Sequence, residues 1–231
     1  MAKKSAIEPD ATISSPLVAE IIDVRATLIY GYKQHVLEHG HQPASIYKFV
    51  TSLGLAETDY YEHFNSFEAI EGEIWLQLHL NTLIRLDAED AYLGYTVREK
   101  WLAYFYTLIE EWKQNRSFLS WSLRQNKPMM PGSNACLKHW KEAFVAYANA
   151  RVTEGTDTGE VASRPYITTK YASGLWIQAL FLLDFWLKDT SQNFELTDAA
   201  VEKAINVSMD VMGSNALDSA FDFAKFVWQN K

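Results

Sequence analysis

Three imidazoles stand close together near the start of the chain: His35 and His39 at i, i+4, with His41 two residues on. That spacing can ligate zinc when both rings share one helix face. No HExxH accompanies them and Gly40 is placed to turn the chain, so they read as a solvated helix end. The single cysteine, Cys136, excludes an intrachain disulfide and a multi-cysteine metal site, which fits a reducing compartment. It lacks a neighbouring His–Asp frame and reads as a small buried apolar residue. Nucleophile-elbow, phosphate-loop and dinucleotide glycine motifs are all missing. Acidic pairs such as Glu110-Glu111 fall on faces expected to be solvated. Nothing proposes a reaction, so the expectation is no catalytic residue, no metal and no cofactor.

The segment that carries a signal is residues 45–71, SIYKFVTSLGLAETDYYEHFNSFEAIE. A short amphipathic helix, a glycine turn and a second short helix are the ingredients of a helix-turn-helix. Gly54 supplies the positive φ of the turn, and Ile46, Phe49, Val50 and Leu53 supply an inward face. Gly40, Ile46, Gly54-Leu55, Tyr60-Tyr61-Glu62-His63-Phe64 and Ser66-Phe67-Glu68-Ala69-Ile70 follow in order and spacing. On these residues, positions 18–75 resemble the TetR family of bacterial transcriptional regulators. The resemblance implies a DNA-binding head, with Lys48, Thr58, Tyr60, Tyr61 and His63 at the DNA. It also implies a divergent helical body that binds a ligand and dimerises. The family's lysine after the recognition helix is Phe67 here.

Charge runs against that implication. The 231 residues carry a net charge of −8. Residues 1–72 hold five basic against ten acidic side chains, so −5 of it falls on the segment that would meet a polyanion. DNA affinity is built largely on phosphate neutralisation, so the balance predicts weak binding. A competing expectation follows: a TetR-fold protein that has lost DNA binding and holds a lipid or quinone.

The elements that must position these residues read as all-α. With 10 Gly, 6 Pro and no sustained alternation, helices are expected throughout, nine or ten in number. Residues 1–16 are expected as a flexible tail, 17–66 as the helix-turn-helix domain, and 67–231 as the ligand-binding and dimerisation domain. A first helix is expected from Pro16 to His39, a regular one across Glu89–Lys113, and one capped by Ser133 running to Val152. Thr153–Pro165 reads as a loop, and a last helix is expected from Asp198, after a Thr197 cap, to Asn230 with a break near Gly213.

Aromatic residues crowd the body. Trp101, Phe105, Trp112, Trp121, Trp140 and Trp176 are candidates to line a site for a hydrophobic small molecule or lipid, with core packing as the plain alternative. Leu175–Leu187 is apolar nearly all round. It is too short, and interrupted by Asp184, to span a bilayer. It suggests instead a homodimer through Leu175, Leu182 and Trp186 on one helix and Leu217, Phe221 and Trp228 on the last. With no apolar leader in the sequence, a cytoplasmic protein is expected.

Overall fold

The computed structural model describes residues 23–125, 134–164 and 166–213. Among them are eight α-helices and no strand: α1 (Val24–His39), α2 (Ile46–Ser52), α3 (Glu57–Tyr61), α4 (Phe67–Asp87), α5 (Val97–Gln125), α6 (Lys138–Thr158), α7 (Thr168–Lys188) and α8 (Glu195–Met212). Three short 3-10 turns, Asp90–Gly94, Ala135–Leu137 and Gln192–Phe194, join them. The all-α expectation is met. None of these helices is long and apolar enough to cross a membrane.

Local chemistry sets most of the boundaries. Asp23 caps α1, accepting from the Ala26 amide at 3.0 Å, and Gly40 ends it at φ 75°. The expected start at Pro16 lies outside the described residues. α5 begins at Val97 rather than Glu89, because 90–94 winds into a 3-10 turn and the Glu99 carboxylate accepts from the Thr96 amide at 2.8 Å. It then runs past Lys113 to Gln125, carrying the Trp101–Trp112 stripe onward to Phe118 and Trp121.

Two expectations are corrected. Most of the stretch expected to be a loop at Thr153–Pro165 is helix, since α6 continues to Thr158 and ends at Gly159, φ 83°. Its polar residues hid an amphipathic pattern: Val152 and Gly155 face inward, and Gly155 lies against Val161. Beyond the helix, the Glu160 carboxylate accepts from the Val97 amide at 3.0 Å, capping α5. Thr197 is not an N-cap. It lies in the first turn of α8, buried, and donates its hydroxyl to Asp189 Oδ2 at 2.6 Å. Hydrogen bonds from Ser191, then Thr197, hold the Asp189 carboxyl down to about 2. The break near Gly213 coincides with the end of α8, and residues 214–230 of the expected last helix lie outside the described residues. Ser133 lies outside them too. Asn134 caps the 3-10 turn that leads into α6.

The core is continuous from the small α1–α3 head, through α4, into the α5–α8 body. α5 ties the two together. Trp121 Nε1 donates to the Gly40 carbonyl at 2.8 Å, Lys33 Nζ donates to Asn115 Oδ1, and Phe118 meets Tyr32 edge-on.

Candidate nucleic-acid interface and aromatic body

α2 starts at Ser45, whose hydroxyl accepts from the Lys48 amide at 3.2 Å, and buries Phe49 and Val50. Gly54, at φ 72°, reverses the chain, and the Leu55 amide closes the turn on the Val50 carbonyl at 2.9 Å. A side chain at that φ would be strained. α3 follows, with Tyr60 turned fully into the core between Phe49 and Phe67. Its hydroxyl has no partner there, and burial pushes it well above the ordinary phenol range. Tyr60, expected at the DNA, is therefore a core residue. Lys48, Thr58, Tyr61 and His63 all remain exposed on the head. Phe67, standing where a phosphate-binding lysine was expected, stacks on Tyr32 at 5.3 Å and helps seat α4.

The electrostatics of this face are acidic. Glu57, Glu62 and Glu68 are exposed. Asp59 bends back so that its carboxylate accepts from the Ala56 amide at 2.8 Å, satisfying the start of α3 from within. Arg25 is engaged, paired with Glu73 at 2.7 Å and set over the Phe64 ring. Lys48 is exposed on α2.

The three histidines do come together. The rings of His35 and His39 stack at 4.2 Å, with His41 at 5.8 and 6.0 Å, in a cleft of about 520 Å³ that Lys48 also lines. Burial, then the neighbouring His39 and His41, lower the His35 pKa. Among the described residues no set of three or more His, Cys, Asp or Glu is disposed to hold a metal ion. Cys136 is buried, and its thiol is pushed up to about 12 by burial.

The body residues expected to line a ligand site fare differently from one another. Trp101, Phe105, Trp112 and Trp140 are fully or almost fully buried against one another and their neighbours, as core. Trp121 is occupied with the Gly40 carbonyl. Trp176 differs: it lines an open groove of about 740 Å³ between α7, the end of α5 and the start of α6. For dimerisation, Leu175, Leu182 and Trp186 are buried within their own chain and cannot form an exposed interface. The reason is rotational, since α7 turns that face toward its own core. The exposed face of α7 instead presents Ile177 and Phe181, at 68% and 53% exposure. A second groove, about 690 Å³, runs from them to Ala200, Ala204 and Val207 of α8. Leu217, Phe221 and Trp228 lie outside the described residues.

One group escaped sequence reasoning. Glu71, on α4, is completely buried and accepts from Tyr32 Oη at 2.7 Å, Gln42 Nε2 at 3.0 Å and Ser122 Oγ at 2.8 Å. It joins α1, the α1–α2 connection and α5 at one carboxylate. A signal existed: Phe67, Glu71, Trp75, Leu78 and Thr82 follow one helical stripe, and a carboxylate is out of place on it.

A short helix pair turned at glycine, seated by a long fourth helix on a helical body, defines a class of two-part helix-turn-helix proteins. Residues 100–227 match the model of the tetracyclin repressor-like C-terminal domain, more than half of the chain, and the chain belongs to the TetR family. The structure is similar to a provisionally assigned TetR-family transcriptional regulator from Syntrophomonas wolfei, with a TM-score of 0.61 and 15% identity over 84% of this chain and 96% of that one. It is also similar to a provisionally assigned TetR-family regulator from Shewanella sp. PV-4, with a TM-score of 0.57 and 12% identity over 83% and 99%. A protein of unknown function from Rhodococcus sp. RHA1 shares the fold with a TM-score of 0.55 and 14% identity over 86% and 100%. At such identities the likeness is one of fold. No curated protein matches the chain by sequence.

Proposed function

We propose that this chain is a dimeric transcriptional regulator whose head, residues 17–66, binds double-stranded DNA under the control of a hydrophobic ligand held by the body, residues 67–231. The observation that carries the reading is the Gly54-turned α2–α3 pair, with Lys48 exposed on α2 and Thr58, Tyr61 and His63 exposed in or just after α3. In such a pair the second helix enters the major groove, and hydroxyl, imidazole and ammonium donors fix it to phosphates. Glu71 supports control from the body, since a shift of α5 at Ser122 must move a carboxylate that also holds Tyr32 and Gln42 of the head. For the dimer, the exposed Ile177–Phe181 ridge beside the α8 groove suits a second copy placed by a two-fold axis.

A second reading, a TetR-fold binding protein without DNA activity, is favoured by Glu57 and by the Asp59 carboxylate at the start of α3. Fluorescence anisotropy on a random-sequence duplex at low salt separates the two. The first reading expects binding with a shallow salt dependence, weakened across all sequences by Lys48→Ala. It expects Glu57→Lys to tighten binding and steepen the salt slope by roughly one. Wild-type protein and Glu57→Lys both failing to bind would leave the second reading standing.

A further inference from the structure

Residues 39–42, where α1 ends, carry two things at once. The body grips the head there: Trp121 Nε1 of α5 donates to the Gly40 carbonyl at 2.8 Å, and Gln42 Nε2 donates to Glu71 of α4 at 3.0 Å. His39 and His41 alternate with those two residues, and His35 stands one turn earlier on α1. Proton-binding groups and head–body contacts therefore share one short piece of backbone.

The neutral cluster is well accommodated. A carbonyl oxygen only accepts, so His39 Nδ1, 2.9 Å from the His35 carbonyl, and His41 Nδ1, 2.7 Å from the Gln42 carbonyl, both carry hydrogens. Their Nε2 atoms are left to take up a proton. The charged cluster is not accommodated. The His35 and His39 rings stack at 4.2 Å with planes 18° apart, so two imidazolium charges there repel. A charged imidazole donates from both nitrogens, yet His35 Nε2 is buried and meets no acceptor. Burial, then His39 and His41, accordingly hold the His35 pKa below its usual value, with Glu38 acting the other way. The other titratable groups lining the cleft are Tyr30 of α1 and Lys48 of α2, and Lys48 brings a further positive charge. From the body side Glu71 reaches the corner through Gln42.

We propose that the His35–His39–His41 cluster is a proton-binding site coupled to the head–body joint: uptake of more than one proton drives the stacked rings apart, brings His35 Nε2 to water and releases Gly40 from Trp121 and Gln42 from Glu71. The joint is closed at neutral pH and opens below about pH 6. The open form binds more protons, so each unit fall in pH favours it about tenfold for every extra proton it holds. In the regulator proposed above, acid then uncouples the head from the body, and only that meaning rests on the proposed function.

The test uses the full chain without DNA or ligand, so its outcome is independent of DNA binding. In ¹⁵N-labelled protein the imidazole signals and the Trp121 indole N–H, assigned in the wild type, are followed from about pH 8 to about pH 5. His79, held to about 4, titrates below that interval. The Trp121 N–H is expected to move upfield as it loses its carbonyl, in step with His35 and His39, while the other indole signals stay in place. His39→Gln with His41→Gln, which leaves one imidazole at the corner, should keep the Trp121 signal still. His63→Gln, outside the cluster, should leave the transition as in the wild type. If the double variant does not fold, the joint movement of His35, His39 and Trp121 in the wild type decides. Three histidines titrating independently near their ordinary value, a Trp121 signal that stays put while they titrate, or one that moves equally in the double variant, overturns the proposal.

Discussion

Glu71 shows what a single residue can hold. A carboxylate taken wholly out of water is costly unless several donors replace its hydration, and Tyr32, Gln42 and Ser122 do so here. Removing the acceptor strands three donors around a void. Glu71→Leu should therefore lower the unfolding free energy by about 3 kcal/mol, and Glu71→Gln, which keeps a carbonyl oxygen, by less. Chemical denaturation of the two variants checks this. His79 makes the second case. It is buried with Nδ1 2.8 Å from Tyr104 Oη, and burial lowers its pKa to about 4. Between the ordinary 6.5 and about 4 the unfolded chain takes up a proton that the folded chain refuses. Stability from this group is present above pH 6.5 and is lost as the pH falls toward 4, to the extent of about 3 kcal/mol. Thermal melts across that interval should show the fall, and His79→Gln should remove that share of it.

At the scale of elements, the sequence was most legible where local chemistry acts alone. Gly40 and Gly54 end α1 and turn the head as their type and spacing imply, because a positive φ depends on a few adjacent residues. The continuation of α6 through Thr158 was illegible for the opposite reason. TEGTDT looks like a loop until Gly155 is placed against Val161, a contact between parts of the chain whose approach no periodicity announces. The candidate site divides the same way. Lys48, Tyr61 and His63 could be placed from the helix-turn-helix pattern, whereas Tyr60 could not be told from its neighbour Tyr61 without knowing which side of a five-residue helix faces Phe49. The dimerisation residues expected on α7 were misplaced by rotation. A helix apolar nearly all round gives no phase, so Leu182 and Trp186 looked as available as Phe181. The corrected surface makes its own prediction. Phe181→Arg, on the exposed ridge, should yield a folded monomer by light scattering, where the wild type scatters as twice the 26.4 kDa chain.

For the whole molecule, the governing tension is between shape and charge. The head has the geometry of a groove reader and a net charge of −5 over residues 1–72. The structure adds detail to that figure, since Arg25 is committed to Glu73 and Asp59 to its own backbone, while Lys48 stands exposed on α2. In the regulator proposed above, Lys48, Thr58, Tyr61 and His63 supply the phosphate donors, and the pairing of two heads adds selectivity. A dimer of this kind reads two half-sites about 34–36 Å apart. The most direct measurement is in vitro selection from a random-sequence duplex pool at low salt, using the wild-type dimer and Tyr61→Ala in parallel. The account predicts an enriched inverted repeat with half-sites about one helical turn apart, lost with Tyr61→Ala. A folded dimer that enriches no sequence over the starting pool would contradict it.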